Sequence, residues 1–288
     1  MSVWRPAPLL LFLLITTGPA RAFVPPPFGA LQTAGMVSIP ATKAKLGGHR
    51  TVGTETFDAP QHDVDLQAFS IDGTEVTVAA YAQCVSAGKC AVPAISLCEV
   101  NAATTYGVPG LEAHPINCVS YAEAAAYCAF AGKRLPTGPE WEVALRGPTL
   151  STFPWGNDIP KQGMTNGCDH SCEVIASAKT GFSYSAVWPD KSFDDGFAFT
   201  APVGRFASDV SAYGVFDLAA NLAEWVNPTG EADLGGTVVF TPNAPLQGDK
   251  QLRGGSWATN VYSTMTYAGR DRVDGSFRGG WVGFRCAK

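Results

Sequence analysis

The sequence predicts an exported domain of mixed helix and strand, poor in long regular elements and held together by disulfides. Three observations carry this expectation: an apolar export-type segment at the N-terminus, helix start and stop signals confined to the first half, and eight cysteines.

The export segment comes first. Arg5 supplies a positive flank, Leu9 through Ile15 form a short apolar run, and Ala20-Arg21-Ala22 fits a small-residue cleavage pattern. Residues 1–22 therefore read as a signal peptide, with the mature chain starting at Phe23. The run is far shorter than the about 20 apolar residues a bilayer span needs, so no transmembrane anchor is expected. A secreted or periplasmic location follows. Residues 23–35 form a Pro-rich leader, and a single domain is expected over residues 36–288.

Structure is expected to begin near Met36-Val37-Ser38-Ile39-Pro40. Val64, Leu66, Phe69 and Ile71 suggest a strand with one slip in its alternation. Thr77 caps a predicted helix through Val85, stopped by Gly88. Ser120 and Glu123 form a capping box for a second helix that stops at Gly132. Thr137 and Glu140 form another, opening a helix that carries Trp141 and Leu145 and ends at Gly147. Beyond Gly147 the chain is rich in Gly, Pro, Asp and aromatic residues, with only short candidate strands. Disulfides, bound cations and buried tryptophans are the devices that hold such a segment.

Without residues 1–22 the chain carries 18 basic and 25 acidic groups, a net charge of −7. Phosphate binding needs a concentrated basic face, so no nucleic-acid partner is expected. The eight cysteines are Cys84, Cys90, Cys98, Cys118, Cys128, Cys168, Cys172 and Cys286. An even number in an exported chain favours disulfides. Cys168-Asp169-His170-Ser171-Cys172 fits a short disulfide loop or part of a zinc site, which would need a fourth ligand.

A set of segments in fixed order then gives a family resemblance. They are Met36-Val37-Ser38-Ile39-Pro40, Phe69-Ser70-Ile71-Asp72 with Glu75-Val76-Thr77, and His114-Pro115-Ile116-Asn117-Cys118-Val119-Ser120. Next come Ala126-Tyr127-Cys128, Ala131-Gly132-Lys133-Arg134-Leu135-Pro136-Thr137 with Glu140-Trp141-Glu142, and Phe153-Pro154-Trp155-Gly156. Ala201-Pro202-Val203-Gly204, Tyr213-Gly214-Val215-Phe216-Asp217-Leu218 and Asn221-Leu222-Ala223-Glu224-Trp225 follow. Arg253-Gly254-Gly255-Ser256-Trp257 and Gly283-Phe284-Arg285-Cys286 complete the set. The chain resembles the formylglycine-generating enzyme (sulfatase-modifying factor) family over residues 36–288.

The resemblance implies one α+β domain of the C-type-lectin-like kind and a Cys128–Cys286 bridge, which could contribute about 5 kcal/mol in the chain-entropy model. Beside it stand the guessed pairs Cys84–Cys118, Cys90–Cys98 and Cys168–Cys172. It also implies two calcium sites. One comprises Asn166, the Gly167 carbonyl, Asp195 and the Phe197 carbonyl. The other comprises Asp217, the Ala220 and Leu222 carbonyls, and Glu224. Carboxylate, amide and carbonyl oxygens suit a hard dication, although Asp194-Asp195-Gly196 also reads as an ordinary turn.

The family's oxidase chemistry rests on two cysteines, two and seven residues after the tryptophan of Arg-Gly-Gly-Ser-Trp, which hold copper(I). Here these positions are Thr259 and Thr264. Hydroxyls are hard and neutral, so they replace soft thiolates neither as copper(I) ligands nor in a mixed disulfide. No copper is expected and no catalytic residue is assigned. Ser256, Asn260 and Asp271 are the polar candidates nearby, and Asp271 with Asp274 reads as solvated charge flanking Arg272. His114 is expected in a turn. The leading expectation is a non-oxidase member that binds a ligand or protein in the family cleft. An exported tailoring enzyme acting without the cysteine pair, as in relatives of siderophore maturation, and a formylglycine-generating oxidase remain the alternatives.

Overall fold

The computed structural model describes residues 35–52, 55–188, 190–228, 250–259 and 262–288, which fall in one compact unit. The segment expected to be a signal peptide, nearly all of the expected leader and Asn260 lie outside the described residues. Strand β1 (Met36–Ile39) pairs antiparallel with β4 (Phe69–Asp72), and between them runs a hairpin of β2 (Thr42–Val52) and β3 (Glu55–Leu66). The slip in the predicted strand is thus a real break. Residues 67 and 68 separate two strands that belong to different sheets, because Phe69 and Ile71 face the core beside β1.

The three helices form where their caps lie. In α1 (Val78–Ser86) the Thr77 hydroxyl accepts the Ala80 N–H. Both α2 (Tyr121–Phe130) and α3 (Gly138–Arg146) open with complete capping boxes, from Ser120 with Glu123 and from Thr137 with Glu140. Gly147 ends α3 at φ 64°, and a Cβ there would sit 2.9 Å from the Ala212 Cβ, so glycine is required twice over. The second half adds a π-turn (Cys172–Ala176), a short helix α4 (Ser177–Thr180), and a four-stranded sheet. Its strands are β5 (Ala223–Val226), β6 (Lys250–Arg253), β7 (Arg270–Val273) and β8 (Val282–Gly283), in the order β7-β6-β5-β8 with only β5–β8 parallel.

Two hydrophobic groups fill the interior. Tyr81, Trp225, Trp257, Trp281 and Phe284 join α1 and α2 to the sheet. Leu46, Ile71, Trp141, Leu145 and Tyr267 join α3 to the hairpin and the β1–β4 pair. Each tryptophan N–H that would otherwise be orphaned on burial needs an acceptor. Trp225 donates to the Val119 carbonyl, Trp257 to the Gly280 carbonyl, and Trp141 to Glu224.

A buried ionic knot pins the hairpin. Glu142 is fully buried and accepts the Gly47 N–H at 2.8 Å, beside the irregularity between Leu46 and Gly48. Arg146 and Arg253 approach the same carboxylate at 2.9 and 3.0 Å, with Arg270 at 3.6 Å. Burial pushes the Glu142 carboxyl up, but Arg253, the Gly47 N–H, Arg146 and Arg270 together hold it below the usual range.

The disulfides correct two of the four expected pairs. Cys84 joins Cys90 and Cys98 joins Cys118, in place of Cys84–Cys118 and Cys90–Cys98. Local geometry decides. Gly88, at φ 67°, reverses the chain after α1, and the N–H groups of Lys89 and Cys90 return to the Cys84 carbonyl, leaving the two Cα atoms 5.2 Å apart. Glu99 pairs with Gly279 while the Cys118 N–H donates to the Gly279 carbonyl, which brings Cys98 and Cys118 together at 5.3 Å. Cys128–Cys286 and Cys168–Cys172 form as expected, and the second settles that segment as a disulfide loop.

His114 sits in a turn, its N–H donating to the Leu111 carbonyl, yet it is buried with Nδ1 3.0 Å from the Thr200 hydroxyl. Burial lowers its pKa, against smaller opposing contributions from Thr200 and Glu112. The unfolded chain therefore binds the extra proton first. This residue's contribution to stability is present above about pH 6.5 and falls as pH drops through the depressed folded value. His114→Gln is expected to flatten the decline in melting temperature between about pH 6.5 and 5 relative to wild type. Parallel slopes for the two proteins would contradict this.

Candidate functional site

Thr259 and Thr264 meet, as the resemblance requires of the pair they replace. The Thr264 hydroxyl donates to Thr259 Oγ1 at 3.2 Å, and Thr259 Oγ1 also accepts the Ser256 N–H at 2.8 Å. Both side chains are buried, at 2% and 1% exposure. Gly255 lies flat against them, since a Cβ there would be 2.9 Å from Thr259 Oγ1 and 3.2 Å from Thr264 Oγ1. Ser256 is also buried, its hydroxyl accepting the Ala258 N–H. This is a closed hydroxyl cluster, built to hydrogen-bond. It offers no thiol. Asp271 is not the solvated charge expected: it is buried on β7 opposite Leu252, whereas Arg272 and Asp274 beside it are exposed. Asp271 shares the inward face of β7 with Val273, and only Arg272 of the strand is exposed, since Arg270 on the other face is covered as well.

Two acidic centres lie in the loops. At the first, Asp195 is brought together with Asp169 and Asp194, one ligand atom of each lying within 4.8 Å of the others. The Cys168–Cys172 loop presents Asp169, whose oxygens accept the Cys172 and Asp195 N–H groups. Ser171 and the Gly196 N–H hold Asp194, and the Phe197 N–H holds Asp195 Oδ1. Asp195 Oδ2 is buried and accepts nothing. Burial, and then the charge of Asp169, push the Asp195 pKa up to about 8. Asn166 spends its amide N–H groups on the Phe199 carbonyl and on Asn221 Oδ1. Gly167 is packed so tightly that a Cβ would lie 2.6 Å from Met265. The Gly196 and Phe197 N–H contacts are those of an ordinary turn, while the buried Asp195 oxygen beside two further carboxylates is the kind of donor set a hard dication takes.

At the second centre Asp217, Ala220, Leu222 and Glu224 gather with Glu75, Asp209 and Arg285, whose side chains are all buried. Non-glycine residues take positive φ at Asp217 (56°), Ala220 (75°) and Asn221 (58°), a strained loop. Glu75 holds it by accepting the Asn221 side-chain N–H and the Leu222 N–H at 2.7 and 3.0 Å. Burial raises Asp217 to about 7. Glu75 and Asp209 are raised well above the carboxylate range, by burial and then by Asp217. Sequence reading passed over Asp169, Asp194, Glu75, Asp209 and Arg285 as functional residues. Glu75 and Arg285 stood inside the quoted segments, and Asp169 inside the Cys168–Cys172 loop.

Fold and site define a disulfide-stapled α+β domain with a sealed hydroxyl pair and two acidic loop centres, the second of them buried. The model of the sulfatase-modifying factor enzyme 1-like domain matches residues 22–288, and the chain belongs to that family. It is 32% identical over 183 residues to the formylglycine-generating enzyme of Mus musculus, covering 60% of this chain and 44% of that protein. It is 31% identical to the inactive C-alpha-formylglycine-generating enzyme 2 of Bos taurus, covering 60% of this chain and 50% of that one. The chain thus spans no more than half the length of either. Among solved structures it is similar to PvdO from Pseudomonas aeruginosa, with a TM-score of 0.56 and 25% identity over 88% of this chain and 93% of that one.

Proposed function

We propose that this chain is an exported, non-oxidase member of the sulfatase-modifying factor family that uses the family scaffold to bind a ligand or protein. The observation that carries the reading is the pair of Thr259 and Thr264 hydroxyls, hydrogen-bonded to each other and shut from solvent where the oxidase resemblance expects thiols. Two oxygens that satisfy each other hold no copper(I) and cannot exchange with a substrate sulfur. The near-equal identity to an active and an inactive mammalian relative is in keeping with a scaffold that outlives its chemistry. Four disulfides suit an oxidising compartment.

Incubation with a Cys-x-Pro-x-Arg peptide, copper and oxygen, followed by mass spectrometry, is expected to leave the peptide's sulfur in place. Conversion of its cysteine to an aldehyde would overturn the reading. Turnover of another substrate that is lost in Ser256→Ala would favour the tailoring-enzyme alternative instead. Calcium is proposed as the cofactor. Asp195, with Asp169 and Asp194, would hold one ion, and the Asp217 loop another. Bound there it would neutralise clustered carboxylates and tie loops that have little regular structure of their own.

A further inference from the structure

The second cation set implied by the family resemblance draws its two carboxylates from Asp217 and Glu224. The fold treats these two differently. Glu224 is matched by a guanidinium: Arg285 Nε lies 3.0 and 2.7 Å from its two oxygens, a terminal nitrogen of Arg285 lies 2.6 Å from Oε1, and Trp141 donates to Oε2. A bidentate Arg–carboxylate pair this closely held leaves little for a cation.

Asp209 has the opposite character. It is 1% exposed, its Oδ2 accepts the Thr165 hydroxyl at 2.6 Å, and its Oδ1 accepts nothing. The Asp217 N–H donates to the Asp209 carbonyl at 3.1 Å, and Val210 bridges Phe216 next door. Asp209 and Asp217 therefore flank the Val210–Phe216 bridge at the base of a small turn, joined through their backbone. Two neighbouring buried carboxylates, one with a buried oxygen that accepts no hydrogen bond, are relieved either by a shared proton or by a cation between them.

We propose that Asp209 is a ligand of a hard divalent cation of the calcium type, shared with Asp217, and that Arg285 withdraws Glu224 from the set. This rests on the calcium reading above and changes its donors: two carboxylates across a turn replace two along one strand end.

The full chain, stripped with chelator and titrated with calcium chloride by calorimetry, tests it alongside Asp209→Asn and Asp195→Asn. Wild type is expected to bind two ions and each variant one. Asp209→Asn should also lose part of the calcium-induced rise in melting temperature seen in wild type. A purely structural role for Asp209 predicts a lower melting point in chelator and an unchanged stoichiometry. Should Asp209→Asn not fold, Asp209→Ser replaces it, with binding at the Asp195 centre reporting an intact fold. Two ions bound by the Asp209 variant with affinity within about two-fold of wild type would overturn this proposal and leave the calcium reading standing. No ion bound by wild type would remove both.

Discussion

Glu142→Gln is expected to lower stability by about 3–5 kcal/mol, because it removes one partner from a buried charge group. The substitution keeps the shape of the side chain, so packing is held nearly constant. What changes is that Arg146, Arg253 and Arg270, all within 4 Å of that carboxylate, face a neutral amide whose N–H₂ end repels them. The Gly47 N–H also loses its charged acceptor, which loosens the root of the β2–β3 hairpin. For a domain of this size the melting midpoint should fall by about 10 °C. Thermal and urea unfolding measure it, and a midpoint within about 2 °C of wild type would show that the knot contributes little beyond its shape.

Removing the Cys128–Cys286 bridge is expected to have an effect of similar size. It spans 158 residues and joins α2 to the end of the chain, with both sulfurs fully buried. In the chain-entropy model a loop of that length stabilises the fold by about 5 kcal/mol, and the six-residue Cys84–Cys90 loop by about 2 kcal/mol. The double variant Cys128→Ser with Cys286→Ser is therefore expected to lose about 3 kcal/mol more than Cys84→Ser with Cys90→Ser. Both pairs replace sulfur with a hydroxyl, so the comparison isolates loop length. Equal losses, or a larger loss at the short loop, would mean that local strain and packing outweigh the entropy of the unfolded chain.

The helices were legible because their signals are local. A cap, a box and a terminating glycine lie within one or two turns of each other, and α1, α2 and α3 begin one residue beyond Thr77, Ser120 and Thr137. The ordered segments likewise pointed to the family, and the meeting of Thr259 with Thr264 followed from it. The hairpin escaped, since strands β2 and β3 carry Lys43–Asp65 and Lys45–Asp63 pairs on an exposed face and little apolar alternation. Asp271 was misread because its burial depends on which face of β7 meets the core, and four residues give too short a period to tell.

By itself the sequence determined where helices start and that cysteines pair, and its family resemblance placed threonines at residues 259 and 264, because each is legible from residue types in a fixed order. Tertiary structure alone decided how Cys84, Cys90, Cys98 and Cys118 pair, that Arg285 takes Glu224, and that the Asp217 N–H meets the Asp209 carbonyl. The physical reason is packing: Glu224 and Arg285 lie 61 residues apart and Cys98 and Cys118 lie 20 apart, and only the folded chain brings them within reach of an ionic or covalent contact.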